Sequence, residues 1–170
     1  IAEIRSIPSG AMLPTLQIND RVLVNREAFL NNSPSRGDIV MFSSPYLFDP
    51  LLRKKFPLTS AGCKAEIKHP ACDEYIKRIV AVSGDRIEVN PKGEVRINGS
   101  LFNEPYISNY CTSCESFSAT VPKGYVFVLG DNRGNSWDGR YWPGSPFLPL
   151  KKVLGKVETI VLPLERRKSL

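Results

Sequence analysis

The sequence predicts a mainly β fold built from antiparallel sheets. Short segments in which apolar or β-branched residues alternate with polar ones recur along the 170 residues, and such alternation is typical of half-buried strands. No segment keeps a helical period of apolar residues over several turns. The 14 Pro and 12 Gly supply the turns that many short strands need. A chain of this length is expected to form one domain, residues 1–170, with a sizeable core.

The strand pattern occurs, in chain order, in RVLVN (21–25), GDIVMF (37–42), YIKRIVAVSG (75–84), RIEV (86–89), EVRI (94–97), YVFVLG (125–130) and VLGKVETIVL (153–162). After EVRI, the pair Asn98-Gly99 suits a two-residue turn and therefore predicts a β-hairpin. REAFLNN, residues 26–32, is expected to form at most a short helical turn.

Two stretches interrupt the strand pattern. Residues 45–74 are rich in Pro, Lys and Cys, and residues from about 90 to 120 include a polar and aromatic segment. Neither stretch has enough apolar residues for a core of its own. We expect them to be loops inserted in the β core, or a second small β subdomain.

The four cysteines, at positions 63, 72, 111 and 114, allow three disulfide pairings or a zinc site. Cys111 and Cys114 have the spacing of half a zinc site, but Cys63 and Cys72 lie too far apart for the other half. The sequence therefore favours disulfides, with the local pairing Cys63–Cys72 and Cys111–Cys114. Disulfides indicate an oxidising compartment.

The net charge of +6 at pH 7 fits either a solvated surface or attraction to an anionic partner. Because the basic residues are scattered and no recognition motif occurs, we expect no nucleic-acid binding. No stretch of 18 apolar residues is present, so no segment of this sequence is predicted to span a membrane. The chain begins at Ile1 rather than Met, and we expect an upstream segment to have been removed.

Lys77 is a stronger catalytic candidate than the single histidine, His69, which stands beside Pro70 in an irregular segment. On a strand, Lys77 shares a face with Tyr75 and Ile79. Burial among such neighbours lowers the pKa of an amine, and a neutral amine can activate a hydroxyl nucleophile. Alternatively, the lysine extends its ammonium to solvent from an edge strand.

The segment GDNRGNSWDGR, residues 130–140, follows the apolar run YVFVL. It is either an ordinary surface loop or a site at the end of a buried strand, where functional loops are often found. Its alternating acidic and arginine residues indicate ion pairs that hold the loop in one shape. We expect structural pairs between Arg78 and Asp131 and between Asp138 and Arg140.

Four segments in order, IPSGAMLPTL, RGDIVMF, YIKRIVAVSGD and GDNRGNSWDGR, resemble the sequence boxes of type I signal peptidases. These are membrane-anchored Ser-Lys endopeptidases that remove signal peptides from exported preproteins. The resemblance covers the chain outside the two insertions. It implies a mainly β catalytic domain, and it implies that the membrane anchor of this family is missing here.

The resemblance also assigns roles to individual residues. It implies that Lys77 is the general base, that the Ser136 hydroxyl orients this lysine, and that Ser9 with the backbone N–H of residue 11 binds the oxyanion. Ala11 stands where the family has its nucleophilic serine. An alanine cannot attack a carbonyl, so this chain is predicted to be almost inert.

Three interpretations of Ala11 are open. A natural pseudoenzyme is expected to have lost Lys77, Ser136 or Ser9 as well, and all three are present. A deliberate replacement of serine by alanine explains why only the reactive oxygen is missing, and we favour it. In the third interpretation Ser9 is the nucleophile, which would require it to leave the oxyanion position.

Signal-peptide cleavage sites have small residues at the first and third positions before the cut. The resemblance implies shallow apolar pockets for them, formed by Ile7, Pro8, Met12, Leu16, Tyr75 and Ile76. An extended substrate is expected to lie between these two segments as an added strand. Trp142, Phe147 and Leu148 belong either to the core or to a surface that dips into the bilayer interface.

The resemblance implies that the partners are signal peptides and a membrane surface, that the catalytic domain lies on the extracytoplasmic or thylakoid-lumenal side, and that the protein is a monomer. No cofactor or metal is expected. Two rival functions share parts of the pattern. One is a non-catalytic β module that binds exported peptides, and the other is a self-cleaving Ser-Lys peptidase of the repressor type.

Overall fold

The computed structural model describes residues 1–64 and 68–170. The strands are β1 (Ala2–Ser6), β2 (Arg21–Asn25), β3 (Ile39–Ser43), β4 (Glu74–Ala81), β5 (Arg86–Val89), β6 (Val95–Ile97), β7 (Ser100–Leu101), β8 (Phe117–Thr120), β9 (Tyr125–Leu129), β10 (Leu148–Pro149), β11 (Val153–Leu162) and β12 (Lys168–Ser169). The helices are α1 (Pro45–Phe48) and α2 (Pro50–Lys55), and short 3₁₀ turns cover Pro70–Cys72, Leu150–Lys152 and Leu164–Arg166.

The strands form two antiparallel sheets, which confirms the predicted mainly β class. The larger sheet has the order β1-β2-β11-β3-β4-β9-β10, with β12 paired to β11, and the smaller sheet has the order β7-β6-β5-β8. β4 lies inside the larger sheet, between β3 and β9. The strand that carries Lys77 is therefore not an edge strand of this sheet.

The predicted strand segments overlap the observed strands, but β1, β8 and the two-residue strands β10 and β12 were missed. β1 has alternating exposed and half-buried residues with few apolar side chains, and β8 lies within the second predicted insertion. Both strands are stabilised mainly by pairing with distant parts of the chain, β1 with β2 and β8 with β5. Residues 26–29 form a turn without a helix, in keeping with the weak expectation for this segment.

The hairpin at Asn98-Gly99 is confirmed. β6 pairs with β7 in the register Ile97↔Ser100, and both turn residues have positive φ, 52° at Asn98 and 87° at Gly99. Glycine adopts such φ values without a steric penalty, and asparagine tolerates them better than most residues. Three strands of the smaller sheet, β6, β7 and β8, therefore lie within the second predicted insertion.

The first predicted insertion contains two short helices that the sequence analysis missed. The side chain of Ser44 caps α1 and that of Asp49 caps α2, and each cap is followed by proline at the first helical position. A capping residue followed by proline is a helix-start pattern that could have been recognised in the sequence. The fully buried Asp49 also accepts hydrogen bonds from the backbone of Gly144 and Ser145, at 2.9 and 3.0 Å. Residues 65–67 of this insertion lie outside the described residues.

The core has three apolar clusters. One lies around β2, β3 and β11, a second lies between the two sheets, and a third lies around β3, β4 and β9. Trp142 and Leu148 are buried in the third cluster, and Phe147 packs against the second. Of the two interpretations of these side chains, the structure therefore favours the core.

Two disulfides join Cys63 to Cys72 and Cys111 to Cys114. This is the local pairing that the sequence favoured. The first disulfide anchors the insertion beside the start of β4, and the second lies beside the loop that follows β9, where Cys111 contacts the backbone oxygen of Arg133. Among the residues that the structure describes, no helix is both long and apolar enough to cross a bilayer.

Candidate active site

The loop after β9 packs directly on the segment that contains Ala11. The backbone N–H of Asn132 donates to the Ala11 oxygen at 3.0 Å, and its side-chain amide donates to the Gly10 oxygen at 2.8 Å. The N–H of Asp131 points at the sulfur of Met12 at 3.4 Å. These contacts hold the backbone around Ala11 in place, so Asn132 is a positioning residue that the sequence analysis overlooked, although it lies within the fourth box.

Gly130 is the point where three parts of the site meet. A Cβ built on this residue would overlap the side chain of Ser136 and lie 2.6 Å from the Ala11 oxygen. The register Arg78↔Leu129 also places Gly130, the residue after β9, next to Lys77 on β4. The missing side chain at position 130 thus lets Ser136 and the Ala11 backbone approach the strand that carries the lysine.

Replacing Gly130 by Ala is expected to lower the free energy of unfolding by about 1–3 kcal/mol, because the added methyl group overpacks this junction. Urea denaturation measures the change. Gly10→Ala is the matched control: the nearest atom to its methyl group is the flexible end of Leu13, at 3.0 Å, so we expect a loss below about 1 kcal/mol. Equal losses in the two variants would show that the junction at Gly130 is not tight.

Lys77 is buried, with only 5% of its surface exposed. Its Nζ lies 5.7 Å from the centre of the Tyr75 ring, and the next residue on the same face of β4, Ile79, is fully buried. Desolvation lowers the pKa of Lys77 below its ordinary value of 10.5, and the negative charge of Asp138 opposes this change only in part. The lysine is therefore biased toward its neutral form, which can accept a proton.

Two arginines pair with Asp131 and Asp138, the acidic residues of this loop. Arg78 binds both oxygens of Asp131, at 2.9 and 2.7 Å, and Arg140 binds those of Asp138, at 2.8 and 2.9 Å. Asp138 also accepts a hydrogen bond from the Gly130 N–H at 3.1 Å. Both predicted ion pairs are present, and because the arginines occupy these carboxylates, neither carboxylate forms a close ion pair with Lys77.

Ser136 has a buried hydroxyl oxygen with no hydrogen-bond partner among the described residues. Its side chain lies against Gly130, on the side of the Ala11 carbonyl. A buried hydroxyl without a partner is costly in an ordinary loop. The hydrogen bond from Ser136 to Lys77 that the resemblance implies is not formed, and the orienting role of Ser136 stays a prediction.

A cleft of about 570 Å³ opens beside these residues. It is lined by residues 5–9, Met12, Met41 and residues 72–77. Ser9 and Lys77 thus face the same cavity, as do five of the six residues expected to contact substrate. The sixth, Leu16, is fully buried in the core with Val22 and does not line the cleft.

A buried ion pair joins the loop after β9 to the second predicted insertion. Arg133 is 1% exposed and donates to Glu104 at 2.8 and 2.5 Å, to the Gly93 oxygen at 2.8 Å and to the Gly130 oxygen at 3.0 Å. The sequence alone did not predict a role for Arg133 or Glu104. Glu104 lies in the insertion, and its spacing from Arg133 gives no signal of contact.

His69 caps a 3₁₀ turn by accepting from the Ala71 N–H at 3.0 Å and does not line the cleft.

The chain is similar to known proteins over most of its length. Residues 1–162 match the family model described as "Signal peptidase, peptidase S26". The chain belongs to the signal peptidase family. Among its relatives is the "Probable signal peptidase I-2" of a Synechocystis species, 37% identical over 98% of this chain and 66% of the relative.

Two further proteins are similar over most of this chain. The signal peptidase I of Leptolyngbya laminosa is 34% identical over 98% of this chain and 71% of the relative. The "Probable thylakoidal processing peptidase 2, chloroplastic" of Arabidopsis thaliana is 37% identical over 92% of this chain. The chain spans only 37% of that relative's length, so it corresponds to part of a longer protein there.

Proposed function

We propose that this chain is the catalytic part of a serine endopeptidase that removes signal peptides from exported preproteins, and that Ala11 makes it inactive. The proposal rests on one observation about Lys77. This lysine is buried, its pKa is lowered, and it faces the same cleft as Ser9. A buried amine without a close carboxylate is unfavourable for stability and suited to proton transfer.

With serine at position 11, the neutral Lys77 amine takes the hydroxyl proton while the serine oxygen attacks the carbonyl carbon of the scissile bond. Ser9 and the backbone N–H of residue 11 stabilise the negative charge on the carbonyl oxygen. The peptide C–N bond then breaks, and the Lys77 ammonium protonates the leaving amine. Water hydrolyses the resulting ester, with Lys77 again accepting the proton, and the enzyme returns to its starting form.

The unpaired strand edges beside the cleft support the proposal that an extended substrate lies between β1 and β4. Pairing with β9 begins only at Arg78, so the described residues leave one edge of Glu74–Lys77 unpaired, and the outer edge of β1 is likewise free. Strand addition to such edges supplies backbone hydrogen bonds. Ile7, Met12 and Ile76 make the floor apolar, and the shallow pockets that the resemblance implies would admit small side chains such as alanine before the cut.

We propose that the complete protein is anchored in a membrane, with this domain on the extracytoplasmic or thylakoid-lumenal side. The names of the Synechocystis and Arabidopsis relatives support such a location. The two disulfides support an oxidising compartment. Proteins that carry signal peptides are processed on that side, so substrate and active site would meet there.

Restoring serine at position 11 tests the proposed function. We expect Ala11→Ser to convert a preprotein with an Ala-X-Ala site into its mature form, while the unchanged chain does not. The products are identified by mass spectrometry, which locates the cut. Peptide binding without any cleavage by Ala11→Ser would favour a non-catalytic module, and cleavage of its own chain alone would favour a self-cleaving peptidase.

A further inference from the structure

The cleft has a charged end remote from Lys77. Successive antiparallel pairings along β1-β2-β11-β3-β4 make β1 and β4 run in the same direction, so both approach the catalytic end from the same side. At the end of the cleft remote from Lys77, Nη2 of Arg5 on β1 lies 3.3 Å from a carboxylate oxygen of Glu74 on β4. This ion pair bridges the two strand edges between which the substrate is expected to lie.

The position of the Arg5–Glu74 ion pair in the cleft indicates which residue of the substrate would lie beside it. Arg5 precedes Ser9 by four residues and Glu74 precedes Lys77 by three, and an added strand advances about 3.3 Å per residue alongside its neighbours. The cleft extends from Ser9 and Lys77 toward this pair, and signal-peptide recognition depends on residues before the cut. If the first substrate residue before the scissile bond lies beside Lys77, the fourth lies beside Glu74 on the same strand, and the Glu74 carboxylate pairs with Arg5.

The charges at this end do not balance. Arg5 is shared between Glu74 and Glu3, and Glu3 also binds Arg26 at 2.8 Å. Arg5 is the only ion-pair partner that the described residues give Glu74, and they give Asp73, the adjacent lining residue, none. Among the lining residues at this end, the carboxylates of Asp73 and Glu74 thus face the single guanidinium group of Arg5, which leaves a surplus negative charge at the cleft mouth.

We propose that Glu74, with Asp73 beside it, forms a charged subsite that selects a basic side chain at the fourth substrate position before the scissile bond. This inference rests on the proposed function. A substrate lysine would share the Glu74 carboxylate with Arg5, whereas a substrate glutamate would meet unpaired negative charge. Since Glu74 is one-third exposed, the selection is modest and weakens in high salt.

The inert Ala11 chain allows the subsite to be tested by equilibrium binding. Two fluorescein-labelled peptides carry alanine at the first and third positions before the cut and differ only at the fourth, which is Lys or Glu. Fluorescence anisotropy is expected to show the Lys peptide binding about fivefold more tightly at low salt. Glu74→Gln should reduce the ratio below about twofold. Glu165→Gln, an equal charge change at an exposed residue outside the cleft, should leave the ratio unchanged.

The possible outcomes distinguish a failure of the subsite proposal from a failure of the proposed function. Equal binding of the two peptides, or a ratio that survives Glu74→Gln, would overturn the subsite even if Ala11→Ser cleaves both peptides. Failure of both peptides to bind, together with no cleavage by Ala11→Ser, would overturn the proposed function and the subsite with it. A reversed preference in Glu74→Lys, with the Glu peptide binding more tightly, would support the subsite directly.

Discussion

Lys77→Met in the Ala11→Ser protein is expected to lower kcat/KM by a factor on the order of 10⁴ to 10⁶, because nucleophile and base act as a unit. Methionine has a similar length and suits the apolar setting next to Tyr75 and Ile79. The loss should therefore arise from the missing amine rather than from a disturbed fold. Steady-state cleavage of a peptide substrate measures it.

The matched control is Lys123→Met, which removes the same charge from an exposed residue outside the cleft. We expect its activity to stay within about twofold of the parent, as for most surface substitutions. If Lys77→Met retains activity within a factor of ten of the Ala11→Ser protein, Lys77 is not the base.

The pH dependence follows from the lowered pKa of Lys77. The reactive amine is the neutral one, so kcat/KM of the Ala11→Ser protein should rise with pH and reach its plateau below the ordinary lysine value of 10.5. Between the folded and unfolded pKa values the unfolded chain binds more protons, and Lys77 therefore makes the free energy of unfolding increase with pH in that window. Lys77→Met should lack this slope and be more stable at the low end of the window.

Arg133→Met is expected to lower the free energy of unfolding by about 3–5 kcal/mol, because it leaves Glu104 buried without its partner. Three backbone and carboxylate acceptors of Arg133 would lose their donor at once: the oxygens of Gly93, Gly130 and Glu104. For a domain of this size the melting temperature should fall by about 10 °C. Urea denaturation and calorimetry measure the two quantities.

Arg96→Met is the control for the loss of an arginine. Arg96 lies on β6, where its side chain is exposed, and the change should cost less than about 0.5 kcal/mol. A cost below about 1 kcal/mol for Arg133→Met would mean that the second predicted insertion is not coupled to the loop after β9 through this ion pair.

The sequence by itself determined the strands whose apolar residues alternate and the hairpin at Asn98-Gly99, and it singled out Lys77 as the candidate base. These features depend on local patterns, since alternation and turn chemistry act between neighbouring residues. The order of the four boxes also indicated the family. The short strands β1 and β8 carried little local signal, because pairing with distant strands stabilises them.

Only the tertiary structure decided whether Lys77 is buried, since strand alternation fits an edge strand and a central strand equally well. It also brought Glu104 to Arg133, Asn132 to the Ala11 backbone and Arg5 to Glu74, and it placed Leu16 in the core rather than in the cleft. The physical reason is the same in each case. Burial, desolvation and ion pairing depend on which distant segments share a volume, and that volume exists only when the sheets have assembled.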